Sequence, residues 1–279
     1  MASRRGAHRN AASRGTALRG GAINPYRLAW RLVRRRLAWD LNPLSWTSRA
    51  RLARLRDTHA GKKALILCNG PSLNRVDFEI VQTSGIFTLG LNKINLLFSR
   101  MDFRPNAIVS VNPLVMEQNA DFFNKTTIPL FLDRAGRRWV KPSENLIYLH
   151  SCPAAALFAR DCRVSINQGH TVTYVALQLA FHMGFREVAV TGCDHSFSAA
   201  GRPNEEVVSQ QQDADHFDPG YFGAGMRWNL PDLAASEYHY AIARDTYLEA
   251  GRRVVNCTEG GQLGIFERMD LRDFLHDAQ

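Results

Sequence analysis

The sequence predicts an α/β protein: a mostly parallel sheet with helices on both faces, preceded by a basic helical arm. Two observations carry this. Short, continuously apolar runs recur along the chain, as expected of strands buried on both faces. Between the later runs lie two long helical stretches, and strands alternating with helices imply parallel pairing through crossovers. The chain has 279 residues, 45% of them hydrophobic, enough for one large domain with a substantial core.

The arm comes first. Residues 1–22 are Arg, Ala, Gly and Ser with almost no large apolar group, and are expected to be a disordered basic tail. Residues 23–60 read as a helical arm. Within 25–39, Tyr26, Trp30, Val33 and Leu37 recur at spacings of four, three and four, which places them on one helical face. Arg27, Arg31, Arg34 and Arg35 spread over the rest. This pattern fits a helix lying on an anionic membrane surface, and equally one docking on the protein's own core or on a partner. Ser48–His59 reads as a second short helix.

From residue 61 to 279 the α/β pattern holds. Strands are expected at Ala64–Cys68, Ile86–Leu91, Ala107–Val111, Pro129–Leu132, Leu146–Leu149, Glu187–Thr191 and Arg253–Asn256. Helices are expected at Thr171–Met183 and Leu233–Ala250, each followed by a glycine able to cap it, Gly184 and Gly251. No internal repeat is visible.

Charge is unevenly placed. Residues 1–63 hold sixteen Lys/Arg against Asp40 and Asp57, whereas the remainder holds nineteen against twenty-four acids. The basic character therefore belongs to the arm, and the main domain is mildly acidic. With no recognition motif in the arm, specific nucleic-acid binding is not expected. No stretch is long and apolar enough to span a membrane, and the N-terminus lacks the apolar segment of a secretory signal. A cytoplasmic protein is expected, peripheral at the inner membrane if the arm binds lipid. The five cysteines, Cys68, Cys152, Cys162, Cys193 and Cys257, form no C-x-x-C pair and read as reduced, mostly buried thiols.

In an open parallel sheet, ligands bind beyond the carboxyl ends of the strands. The first strand runs into Asn69-Gly70-Pro71-Ser72-Leu73. Gly70 permits a tight turn or close approach of the backbone, Pro71 suits a first helical turn, and Ser72 can cap that turn or donate to a phosphate. The plain alternative is an ordinary strand–turn–helix connection. The loop is neither a Gly-x-Gly-x-x-Gly nor a Walker motif. Other strand ends lead into Asn92-Lys93, Asn112-Pro113, Gly192-Cys193-Asp194-His195 and Cys257-Thr258-Glu259-Gly260-Gly261. Asparagine both donates and accepts, so such a rim suits a base edge or a ribose.

The loop Cys68–Leu73 together with Gly184–Asp194 resembles two related groups: the bacterial metal-independent sialyltransferases with their flagellin-modifying relatives, and the 6-hydroxymethylpterin diphosphokinase (MptE-like) family. The later segment His216-Phe217-Asp218-Pro219-Gly220-Tyr221-Phe222-Gly223 fits the same resemblance, which extends from about Lys62 to the C-terminus. It implies a Rossmann-like nucleotide-binding transferase domain over 61–279. Asn69, Gly70, Pro71, Ser72, Asn92, Lys93, Asn112, Thr171 and Gly192 would then face the nucleotide. Asp194 would serve catalysis or hold the ribose.

The sialyltransferase resemblance implies a CMP- or other nucleotide-activated sugar donor, no required cofactor, and a glycan or protein acceptor at the cell surface. A loop histidine, here His216, would be the general base. Thr171-Val172-Thr173 stands where that family keeps Ser-Gly opposite the sugar carboxylate, which points away from sialic acid itself. The pterin-kinase resemblance implies instead pyrophosphoryl transfer from ATP with Mg²⁺. Asp194, or Asp213-Ala214-Asp215 as an Asp-x-Asp pair, would be its metal ligands. The setting of Asp213 and Asp215, Ser209-Gln210-Gln211-Gln212, reads more readily as a solvated, mobile lid loop. A non-catalytic nucleotide-binding protein and a homo-oligomer are both compatible with the sequence. His170 and His195 lie near the same rim, whereas His239 and Tyr240 read as packing residues within a helix.

Overall fold

The computed structural model describes residues 24–153, 157–198 and 201–276. The expected tail, 1–22, lies outside them. In chain order the elements are α1 (Pro25–Asp40), α2 (Pro43–Leu55), β1 (Lys63–Leu67), α3 (Phe78–Ser84), β2 (Phe87–Leu91), β3 (Ala107–Ser110), α4 (Pro113–Gln118), α5 (Ala120–Lys125), β4 (Leu130–Asp133), β5 (Leu146–Leu149), α6 (Val172–His182), β6 (Glu187–Thr191), β7 (Glu206–Val208), β8 (Arg227–Asn229), α7 (Leu233–Glu249), β9 (Arg253–Asn256), β10 (Glu267–Arg268) and α8 (Leu271–His276).

Eight strands form one parallel sheet in the order β10-β9-β6-β1-β2-β3-β4-β5. The fold is therefore α/β and Rossmann-like, with a helical N-terminal arm. All seven expected strands are present, three of them with the expected limits. The apolar runs mark them because the central strands are buried on both faces: Ala64, Leu65, Ile66 and Leu67 are all inaccessible to solvent. β10 and the antiparallel β7–β8 pair were not expected. These strands are two or three residues long and mostly exposed, so they carry no apolar run.

The second arm helix spans Pro43–Leu55 and not Ser48–His59. Asn42 sets the earlier start: its side chain accepts from the Leu44 N–H, and Pro43 occupies the first helical turn. The compact unit that carries the sheet begins at Trp39, so α2 belongs to it. α2 covers the β5 edge. Ser48 Oγ accepts from the Tyr148 N–H at 3.1 Å, and Arg51 donates to the Ser143 and Leu146 carbonyls. Blocking an edge strand in this way removes a template for unwanted pairing. α6 is buried along nearly its whole length and packs on β1, β2 and β3. Its last residue, His182, reaches α2 through Nε2 and the Leu52 carbonyl at 2.8 Å. Among the described residues no helix is long and apolar enough to cross a membrane. Four of the five cysteines are buried.

Candidate functional site

The sheet topology defines a switch point. From β1 the chain proceeds through β2 to β5 in one direction, then returns with β6 on the other side of β1. The turns after β1 and β6 lie side by side there, at the carboxyl ends of the strands, where open α/β sheets commonly bind ligands. Both turns come from the segments singled out by the sequence.

The two turns are locked to each other. The Gly70 N–H donates to the Gly192 carbonyl at 2.8 Å. Asp194 accepts from the Ser72 hydroxyl at 2.7 Å and from the Ser72 N–H at 3.2 Å. The backbone and hydroxyl donors expected to cradle a phosphate thus engage the chain's own carboxylate. Pro71 opens a 3₁₀ turn, Pro71–Arg75. Gly70 has an ordinary φ of −71°. Its need for glycine is spatial: a Cβ there would lie 2.0 Å from Asp194 Oδ2. Gly192 requires glycine for conformation, with φ at 71°.

The second part of the site is the loop after β7. The Phe217 N–H donates to the Asn69 carbonyl at 2.9 Å, and Asn74 Nδ2 donates to the Phe217 carbonyl, so the loop is seated on the β1 turn. His216 Nδ1 is 2.8 Å from Asp213 Oδ2. Its ring stacks on Tyr221 at 4.0 Å, and Phe197 and Phe222 meet it edge-on. Phe222 in turn stacks on Trp228 of β8. The His216 side chain is 12% exposed and that of Asp213 only 7%. Among the described residues Nε2 of His216 has no hydrogen-bond partner.

Gln210, Gln211, Gln212 and Ala214 are exposed, as expected of a solvated loop, but Asp213 is turned inward. The Asp213 carboxylate is largely covered and accepts from His216 and from the Asp215 and Phe222 N–H groups. Burial works to raise its carboxyl, but those hydrogen bonds and the attraction of His216 hold it below the ordinary value. Asp215 turns away and accepts from Ser198 N–H and Oγ. The three site carboxylates therefore serve three different partners, and Asp213-x-Asp215 offers no converging pair to a divalent cation.

Lys93 lies buried beneath the loop. Its ammonium donates to Gln118 Oε1 and to the Tyr221 carbonyl, and sits 4.9 Å from the Phe222 ring centroid. Burial pushes its pKa down to about 8, against the pull of Asp213. Asn92, at a φ of 48°, accepts from Ser110 Oγ at 3.0 Å. Asn69 Nδ2 donates to the Leu91 carbonyl, while its buried Oδ1 has no partner among the described residues.

Other residues singled out by sequence have local structural work. Asn112 caps α4 by accepting from the Leu114 N–H. Thr171 caps α6 and lies 3.2 Å from the Tyr240 hydroxyl. His170 is 3.8 Å from Asp232, and His195 Nε2 is 3.1 Å from Glu237. His239 Nδ1 is 2.7 Å from its own helix's Ala235 carbonyl. Cys68 is buried, with Sγ 3.5 Å from Thr173 Oγ1, and the neighbouring Cys193 thiol and burial both push its thiol up.

The structure thus joins Asn69, Lys93, Asp213 and His216 in one contact network, beside the locked pair of Ser72 and Asp194. Asp213 as the partner of His216 was missed. Its signal was a carboxylate three residues before a histidine. Sequence reasoning also missed a cavity of about 480 Å³ lined by Ser72, Arg75, Asp77, Thr258, Asp270 and Arg272, among others.

Among solved structures, the chain is similar to the MAf glycosyltransferase from Magnetospirillum magneticum AMB-1, with 14% identity and a TM-score of 0.48. The match covers 82% of this chain and 39% of that one, so this chain spans well under half its length. No curated protein matches. The family model described as 6-hydroxymethylpterin diphosphokinase MptE-like matches residues 45–200, from α2 through both turns of the switch point. On that match, the chain belongs to the MptE-like family.

Proposed function

We propose that the chain is a nucleotide-dependent transferase that moves a group from a bound nucleotide donor to an acceptor hydroxyl. The observation that carries this reading is the His216–Asp213 pair, held at the switch point by the Phe217–Asn69 hydrogen bond. Asp213 holds Nδ1–H, which leaves the Nε2 lone pair as the proton acceptor. As the acceptor oxygen attacks the donor, its proton passes to Nε2 and the nucleotide phosphate leaves with the bonding electrons. Asp213 then stabilises the imidazolium.

The donor in this proposal is a CMP- or other nucleotide-activated sugar, and the acceptor a glycan or protein. What supports a sugar donor is that the pair supplies the proton acceptor such a transfer needs, while Asp194 and Asp215 are engaged by Ser72 and Ser198. The second reading is pyrophosphoryl transfer from ATP with Mg²⁺, favoured by the family to which residues 45–200 belong. The same base would serve it.

A thermal-shift panel of CMP, CDP, ATP and GTP, with Mg²⁺ or with EDTA, separates the two. Stabilisation by CMP that persists in EDTA is expected. Stabilisation by ATP only with Mg²⁺ would replace the sugar donor with pyrophosphoryl transfer. No stabilisation by any nucleotide would overturn both.

A further inference from the structure

We propose that α1 is an interfacial anchor that lies on an anionic lipid bilayer. On a helix advancing 100° per residue, Val33, Tyr26, Leu37 and Trp30 fall within an arc of about 60°. All four are exposed: Tyr26 84%, Trp30 61%, Val33 48% and Leu37 49%. The stripe runs nearly the full length of α1. Two of its members are aromatic residues with a polar edge, the type that settles at the headgroup level.

Charge selects the occupant. Arg34, Arg27 and Arg31 follow next around the helix from Trp30, and all three are exposed. Ten arginines and no acid precede Asp40 in the sequence. The arginines line one edge of the stripe, while Asp40 at the other edge is paired with Arg49; the stripe can bury its rings at the acyl boundary while the arginines meet lipid phosphates. A nucleic acid would match the charge and leave the stripe in water. A neutral protein groove would match the stripe and leave the arginines without anionic partners. An anionic bilayer satisfies both.

Flotation of the full chain with vesicles tests this, using phosphatidylcholine alone and phosphatidylcholine mixed with phosphatidylglycerol. Wild type is expected to float with the mixed vesicles and to remain behind with phosphatidylcholine. Trp30→Ser/Leu37→Ser should weaken flotation by roughly tenfold or more. Because both side chains are exposed, circular dichroism and melting temperature should not change. Arg27→Gln/Arg31→Gln/Arg34→Gln should weaken it as well and reduce its sensitivity to salt. The proposal is overturned if the apolar variant floats as well as wild type, since the stripe would then not insert. It is equally overturned if wild type ignores both vesicles, or binds duplex DNA in preference to them.

Discussion

The imidazole Nδ1 of His216 lies 2.8 Å from the carboxylate Oδ2 of Asp213, and the histidine ring rests flat on Tyr221. Together these contacts fix both the tautomer and the ring plane. His216→Ala should reduce turnover by roughly 100- to 10,000-fold while nucleotide affinity changes little. Asp213→Asn should retain the fold and lower turnover by at least about tenfold. Single-turnover rates, paired with nucleotide titrations, check both. Full activity in His216→Ala would remove the base from the proposal.

Gly70 stands against Asp194. Replacing it with Ala pushes a methyl group into Asp194 Oδ2, and also within 2.8 Å of the Gly192 carbonyl. A destabilisation of about 1–3 kcal/mol is expected, read from urea unfolding. A double-mutant cycle on Ser72→Ala and Asp194→Asn should give a coupling of about 1–2 kcal/mol. Additive effects would show that the pair does not hold the turns together.

Lys93 makes stability depend on pH in an unusual direction. Its pKa is about 8 in the folded protein against an ordinary 10.5. Below pH 8 both states are protonated and the cost of burying the charge is fully present. Between about 8 and 10 the unfolded chain holds a proton that the folded one has lost, so stability contributed by this residue rises with pH. Unfolding free energies of wild type minus those of Lys93→Met, measured from pH 7 to 10, should increase across that window. A flat difference would contradict the assigned burial effect.

His182 couples α2 to α6. Removing its ring in His182→Ala leaves the Leu52 carbonyl and the Cys162 N–H without their partner. A loss of about 2–4 kcal/mol is expected, with faster amide exchange along α2 than along β1. Uniform exchange changes across the sheet would argue against a local latch.

The parallel strands were readable because burial on both faces demands apolar residues at every position, a signal that survives in a four-residue window. α6 and α7 were readable because their periodic stretches are long and end at Gly184 and Gly251. The short helices α4 and α5, and the exposed pairs β7–β8 and β10, leave too few residues for any period to emerge.

The strand-end residues of the site were equally visible, since turn chemistry is local. Their partners were not. Ser72 and Asp194 are separated by 122 positions, and Asn69 meets Phe217 across a similar gap. Such pairings depend on β6 returning beside β1, which no local window contains. So the residues around Gly70 announce a ligand-binding turn, and the fold determines that its donors already hold Asp194. In the same way Gln210-Gln211-Gln212-Asp213 reads as solvated chain from its polarity alone. It is the stacking of His216, Tyr221, Phe222 and Trp228 against the sheet end that covers the Asp213 carboxylate and gives His216 its partner.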